Sequence, residues 1–127
     1  MAGFDLEIWP QIKQIAQQHK EREEPILTIG QGSRNWVLAV DDDKIVVISE
    51  KDQRGQPVGA PREVPREIIK EAFEILAANG TMNRKLMVQK LDNKIRVIGA
   101  IIRGILALLP NVKVEQTGRS SSLVYYG

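Results

Sequence analysis

A long apolar run, Lys94 to Leu109, sets the strongest limit on how this chain can fold. Its large aliphatic side chains recur every three or four residues, which is the spacing of one face of a helix. The positions on this face are Ile95, Ile98, Ile102, Ile105 and Leu109. Because Lys94, Arg96 and Arg103 fall off this face, we expect them to stay in water. Pro110 then ends the predicted helix.

Two strands joined by a short turn are predicted to follow this helix. Residues 112 to 116 alternate between apolar and polar side chains, which is typical of a half-buried strand. The chain then turns at Thr117 and Gly118 and returns through three serines, Ser120 to Ser122, into Leu123 to Tyr126. The order at this end of the chain is therefore helix, strand, polar turn, strand.

Two shorter helices are predicted upstream of the apolar run. The first begins at Pro65, a residue favoured in the first turn of a helix, and ends at Gly80, a typical C-terminal glycine. The second extends from Met82 to Leu91, with Thr81 as its N-cap. Its outward-facing cations are Arg84, Lys85 and Lys90, and its inward-facing residues include Leu86 and Leu91.

The N-terminal half is predicted to combine a helix with a small antiparallel sheet. Apolar residues between Phe4 and Gln18 fall on one helical face, with Asp5 as the N-cap. From Pro25 the pattern changes to that of strands. The predicted strands are Ile26 to Ile29, Asn35 to Val40 and Lys44 to Ser49, and Trp36 is interpreted as a core residue. Gln53 to Pro65 is rich in Gly and Pro, so we expect a connector without regular structure.

The length of 127 residues suits one domain, in which residues 1–56 and 65–127 form two parts of a compact unit. The absence of cysteine excludes disulfides and thiolate metal sites and favours a reducing compartment. The sequence contains neither a targeting leader nor an apolar run of about 18 residues, so we expect a cytoplasmic protein without membrane contact. No motif indicates a cofactor, a metal or a catalytic residue.

Charge is divided unequally along the chain. Residues 1–80 carry 10 Lys and Arg against 14 Asp and Glu, whereas residues 81–127 carry 8 against 2. The C-terminal part therefore has a net charge of +6, although the whole chain has only +2. A concentrated basic surface attracts polyanions such as nucleic acids. The alternative interpretation is an ordinary solvated surface.

The element order predicted for residues 65–127 resembles that of the winged helix-turn-helix superfamily of DNA-binding domains. The resemblance covers about half of the chain and follows the pattern of elements rather than a fixed signature. Its features are a first helix closed by Gly80, a turn at Asp92 and Asn93, a third helix from Lys94, and a wing-like ending from Gly118 to Tyr126. The fold class is then α+β, with an N-terminal helix and antiparallel meander followed by a winged helix-turn-helix.

In that superfamily the third helix enters the major groove by its N-terminal residues, and the wing reaches a flanking backbone. The resemblance implies that the chain binds double-stranded DNA, as a small regulator or a recognition module, and leaves open a homodimer or a protein partner. The residues that it places at the DNA are Arg84, Lys85, Asn93, Lys94, Arg96, Val97, Ala100, Arg103, Arg119, Ser120, Ser121 and Ser122.

The third helix is also unusually apolar, which keeps a protein-binding adaptor open as an alternative function. It contains Gly99 and Gly104, and each glycine costs about 1 kcal/mol relative to alanine in a helix interior. Close approach by another surface would explain both glycines.

A Mg²⁺-dependent nuclease is the remaining alternative. Asp41 to Asp43, the strand that follows, and Glu50 with Lys51 imitate the layout of one nuclease class. Ser49, however, stands where that class requires its second acidic ligand. We therefore interpret these acids as a hairpin turn and a solvated strand end.

Overall fold

The computed structural model describes residues 3–29, 32–91, 98–117 and 120–127, with all side chains in these ranges except those of Thr117 and Ser120. The fold is α+β with antiparallel sheets. Its helices are α1 (Trp9–Arg22), α2 (Arg66–Asn79), α3 (Arg84–Leu91) and α4 (Gly99–Leu106). A π-helical turn, Phe4–Ile8, precedes α1. No described helix combines the length and the hydrophobicity that crossing a bilayer requires.

The strands of the described ranges form three sheets. They are β1 (Ile26–Leu27), β2 (Arg34–Val40), β3 (Lys44–Ile48), β4 (Glu50–Lys51), β5 (Pro57–Val58), β6 (Arg62–Pro65), β7 (Thr81–Asn83), β8 (Val112–Thr117) and β9 (Ser120–Tyr125). The largest sheet has the order β1-β2-β3-β6, and β4 pairs with β5 in a separate ribbon. The C-terminal sheet has the order β7-β9-β8, so its last strand lies between the other two.

The predicted three-stranded meander is confirmed as β1, β2 and β3, but the expectation of an irregular connector is wrong. Arg62–Pro65 pairs with β3 as a fourth strand, from Val47 opposite Arg62 to Lys44 opposite Pro65. Pro65 occupies the last position of this edge strand, where a missing backbone donor is tolerated. The Arg66 N–H donates to the Asp43 carbonyl at 2.8 Å. The start of α2 is therefore fixed to the turn between β2 and β3.

The acidic residues between β2 and β3 form the turn that the sequence predicts. The Asp41 carboxylate accepts backbone hydrogen bonds from Asp43 at 2.7 Å and Lys44 at 2.9 Å. Asp42 pairs with Lys13 of α1 at 2.8 Å, and this contact lowers the pKa of the Asp42 carboxyl. Within the described ranges, no three His, Asp or Glu side chains are grouped so that they could hold a metal ion.

The predicted N-cap role of Asp5 is wrong, because its side chain makes no cap hydrogen bond. Its carboxylate instead pairs with Arg66 and with Lys70, both in α2. The N-terminal turn is thereby tied to the helix that begins the C-terminal part of the chain.

The predicted end of α2 is confirmed. Gly80 adopts the left-handed conformation at φ 75°, and its N–H donates to the Leu76 carbonyl at 2.8 Å. The prediction that Thr81 caps the next helix is wrong, because Thr81–Asn83 pairs with β9 as a strand. Asn83 is the cap instead, since its side-chain oxygen accepts the Leu86 N–H at 2.8 Å.

The helix α4 is buried on almost every side. The predicted burial is confirmed at Ile98, Ile102, Ile105 and Leu109, but Ile101 and Leu106 are buried as well. The predicted helix end at Pro110 is wrong, because α4 ends at Leu106. A Cβ atom added to Gly104 would lie 2.6 Å from the Leu27 carbonyl oxygen in β1. The predicted close approach at this glycine is therefore confirmed, and the approaching surface belongs to the N-terminal part of the same chain. The predicted helix start at Lys94 lies outside the described residues.

One hydrophobic core joins the two parts of the chain. Its aromatic members form a connected series from the first turn to the last strand. Ring centroids are 6.1 Å apart between Trp9 and Phe4, 5.8 Å between Phe4 and Phe73, and 5.3 Å between Phe73 and Tyr125. The C-terminal sheet and α4 are thus held against the N-terminal helix by shared packing.

Candidate nucleic-acid interface

The start of α3 presents two adjacent cations to solvent. Arg84 and Lys85 are the first two residues of this helix, and both are exposed. The Asn83 cap fixes where the helix begins and so fixes the position of both side chains. The N-terminal end of a helix also carries a partial positive charge from its aligned peptide dipoles. This end of α3 is therefore a locally electropositive surface.

Strand pairing brings the predicted wing strand beside this helix start. Ser122 of β9 lies opposite Asn83 of β7, and Arg84 follows Asn83 directly. Ser121 and Ser122 are half-buried and lie opposite Gln116 and Glu115 of β8. Small hydroxyl side chains next to exposed cations suit contact with a phosphate backbone. Residues from two distant segments of the sequence thus meet at one edge of the C-terminal sheet.

The prediction that Arg103 stays in water is wrong. Only 7% of its surface is exposed, and its Nε atom is covered without a hydrogen-bond partner in the described part of the chain. The periodicity argument failed because α4 packs on more than one side, which draws a position off the main apolar stripe into the interior. Burial lowers the pKa of the Arg103 guanidinium, and the neighbouring charge of Arg84 lowers it further.

Every described ion pair lies in the N-terminal part, where four of the ten Lys and Arg residues of positions 1–80 pair with carboxylates. Lys44 pairs with Glu63 at 2.8 Å, which raises the pKa of the lysine, and Lys13, Arg66 and Lys70 are paired as described above. The C-terminal cations differ. Arg84, Lys85, Lys90, Arg103 and Lys113 make no ion pair with any described residue. Among these residues, the exposed cations Arg84, Lys85, Lys90 and Lys113 are therefore free of described carboxylates.

A cleft of about 340 Å³ lies between the end of α1, strand β2 and the β4–β5 ribbon. Trp36, interpreted from the sequence as a core residue, is only half-buried and lines this cleft. The Lys51 ammonium lies 5.1 Å from the centroid of its ring, a cation–π contact that the sequence did not indicate. Val37, the residue after Trp36, points to the opposite face of β2 and is buried.

The structure leaves part of the predicted site undescribed. Ala100 is exposed, as predicted, but five predicted contacts lie outside the described residues. These are Asn93, Lys94, Arg96, Val97 and Arg119. Comparison with protein-family models, with curated proteins and with solved structures finds no match to this chain. The chemistry of the surface around Arg84, Lys85 and Ser122 is therefore the guide to function.

Proposed function

We propose that the C-terminal part of this chain binds double-stranded DNA through the surface formed by the start of α3 and strand β9. The observation that carries the proposal is the pair of exposed cations, Arg84 and Lys85, without a carboxylate partner among the described residues. Phosphate contacts supply most of the affinity of DNA-binding proteins and require such unpaired cations.

The order of elements supports the same proposal. From α2 onward the chain runs helix, strand, helix, helix, strand, strand, and the first of these strands pairs with the last. We interpret this order of described elements as that of a winged helix, in which the third helix and the wing meet DNA. Lys94, Arg96 and Arg119, which are also predicted from the sequence to contact DNA, lie outside the described residues.

The burial of α4 argues against the adaptor alternative in its simplest form. That alternative uses the apolar third helix as a docking face for another protein. The apolar residues of α4 are instead packed within the chain's own core, and Gly104 touches β1. Little apolar surface of α4 is left for a partner.

Salt dependence of binding to a random-sequence duplex tests the proposal. We expect the logarithm of the association constant to fall linearly with the logarithm of the salt concentration, with a slope of roughly −3 to −6. Fluorescence anisotropy of a labelled duplex at four or more salt concentrations measures this slope. Binding that does not respond to salt, or no binding at low salt, contradicts the proposal.

A double variant locates the surface. Arg84→Gln with Lys85→Gln should weaken binding to all duplexes and reduce the magnitude of the salt slope by about 2, since two cations are removed. The matched control is Lys20→Gln with Arg22→Gln, which removes the same charges from exposed positions at the end of α1. The control should bind as the parent does. Equal losses in both variants would point to a general charge effect instead.

A further inference from the structure

Arg103 is the one charged residue that is buried in the described part of the chain. Its Nε atom is completely covered and lacks a hydrogen-bond partner. A buried charge is normally compensated by an opposite charge or by a bound ligand, because removing it from water is costly. No described carboxylate makes an ion pair with this guanidinium.

The described charge that lowers the pKa of Arg103 has the same sign. Arg84, at the start of α3, is close enough for the two guanidinium groups to repel each other. The N-terminal end of the α3 dipole adds to the same positive potential. Arginine does not lose its proton at any physiological pH, so this repulsion cannot be relieved by titration. The pair is left with an excess of positive charge at the contact between α3 and α4.

The residues one turn before Arg103 in α4 are small. Side chains in a helix lean toward its N-terminus, which directs Arg103 over the preceding turn. That turn contains Gly99 and Ala100, the two smallest residue types, and Ala100 is exposed to solvent. The two positions one turn before Arg103 therefore carry no bulky side chain, and the exposed one is Ala100.

We propose that Arg103 and Arg84 together bind one tetrahedral oxyanion, a phosphate or the phosphoryl group of an ester. A guanidinium offers parallel N–H donors that match two oxygens of such a group, and its charge offsets that of the anion. The proposal goes beyond duplex binding, because the ligand is a single group and need not belong to a polymer. The same chemistry can come from a free phosphate or phosphorylated small molecule, or from the backbone of a nucleic acid.

Thermal unfolding in phosphate and in chloride at equal ionic strength and pH tests the site. Because an anion that binds only the folded state stabilises it by mass action, the melting temperature of the parent should rise saturably with phosphate. At roughly ten times the dissociation constant, the rise should be about 5 °C. A parent that melts at the same temperature in both salts overturns the proposal.

Variants assign the effect to the two arginines. Arg103→Met should melt at or above the temperature of the parent in chloride, since it removes an unpaired buried charge, and should lose the response to phosphate. Arg84→Gln changes an exposed side chain, so it keeps the fold and tests the site even if Arg103→Met does not fold. Arg22→Met, exposed at the end of α1, is the matched control and should respond as the parent does. An unchanged response in both Arg103→Met and Arg84→Gln contradicts the proposal.

Duplex binding by the same proteins separates the two sources of the anion. If the site holds a backbone phosphate, Arg103→Met weakens duplex binding, and phosphate competes with the duplex at the concentrations that raise the melting temperature. If the site holds a free phosphate or a phosphorylated small molecule, Arg103→Met binds duplex as the parent does. A phosphate response without any duplex binding keeps the oxyanion site and removes the proposed function, and the opposite result removes only the oxyanion site.

Discussion

Asp5 connects the N-terminal turn to α2 through two cations. Its carboxylate accepts hydrogen bonds from Arg66 and Lys70, and these bonds lower the pKa of the carboxyl, Arg66 contributing most. A carboxyl whose pKa is lowered in the folded state stabilises the fold above its ordinary pKa of 3.8. That stabilisation is lost as the pH falls through the lower, folded value. Acid should therefore release this contact.

We predict that Asp5→Asn lowers the free energy of unfolding at neutral pH and that the difference from the parent shrinks below pH 3.8. Urea unfolding at a series of pH values measures both quantities. Glu74→Gln, an exposed position on α2 outside this ion-pair network, is the control and should leave the stability close to that of the parent. A deficit in Asp5→Asn that stays constant down to pH 2 would contradict this account.

Gly104 is the second residue with a sharp structural requirement. Alanine in place of glycine normally stabilises a helix interior by about 1 kcal/mol. Here the added methyl group would lie 2.6 Å from a backbone oxygen of Leu27, which cannot move without shifting β1. We predict that Gly104→Ala destabilises the protein by roughly 1 to 3 kcal/mol, as measured by chemical denaturation.

Gly3→Ala is the appropriate comparison for this substitution. Gly3 has an ordinary backbone conformation, and an added Cβ would meet no atom within 4 Å. It should therefore leave the stability nearly unchanged. If Gly104→Ala proves as stable as the parent, α4 and β1 are packed less tightly than described.

At the level of elements, the sequence predicts the segments whose structure depends on local pattern. Helix α2 with its Gly80 end and the β8–β9 hairpin follow from periodicity and turn residues. Strands β6 and β7 could not be predicted in this way, because each is too short to show a period. They exist through pairing with β3 and β9, which lie elsewhere in the sequence.

The candidate site likewise has one part that local sequence pattern predicts and another that depends on long-range contacts. Arg84 and Lys85 could be chosen from residue type and helical position, but their place beside Ser122 depends on the pairing of β7 with β9. The burial of Arg103 was also beyond periodicity, since a hydrophobic stripe reveals one packed face and α4 has more than one. In the sequence, Gly104 was the residue that indicated close packing on a second face of α4.

The division of work between the start of the third helix and the wing yields a prediction. Under the proposed function, the sequence prediction assigns Arg96 to base edges and Arg119 to the DNA backbone, and both residues lie outside the described ranges. Arg96→Ala should cost about 1 to 3 kcal/mol of binding and flatten preferences among sequences. Arg119→Ala should weaken all duplexes alike and reduce the salt slope by about 1. Anisotropy with a panel of duplexes measures both effects.

The binding comparison requires that both variants are folded, which their circular dichroism spectra measure. Ile102→Asp provides the contrast, since Ile102 is fully buried and a charge there should unfold the protein. Circular dichroism distinguishes the two cases. If both arginine variants bind every duplex as the parent does, the third helix and wing are not the DNA-binding surface.

Over the whole molecule, charge and packing are arranged differently. Residues 1–80 carry a net charge of −4, from 10 Lys and Arg against 14 Asp and Glu, and contain every described ion pair. Residues 81–127 carry a net charge of +6, from 8 against 2, and the cations of α3 make no ion pair with a described residue. Packing makes no such division, because one core includes both parts. The basic surface of α3 therefore depends on a hydrophobic core that includes residues of α1. A substitution in the N-terminal core should thus weaken duplex binding by unfolding its support.

The aromatic series from Trp9 through Phe4 and Phe73 to Tyr125 also bears on the rate of folding. Its members come from the beginning, the middle and the end of the described chain, so no local segment can complete this contact by itself. The entropy cost of closing such long loops must be met before their contacts add stability, so we expect folding to be slower than that of helical bundles rich in local contacts. Isolated residues 1–56 would lack both Phe73 and Tyr125, and Phe4 would be left facing water.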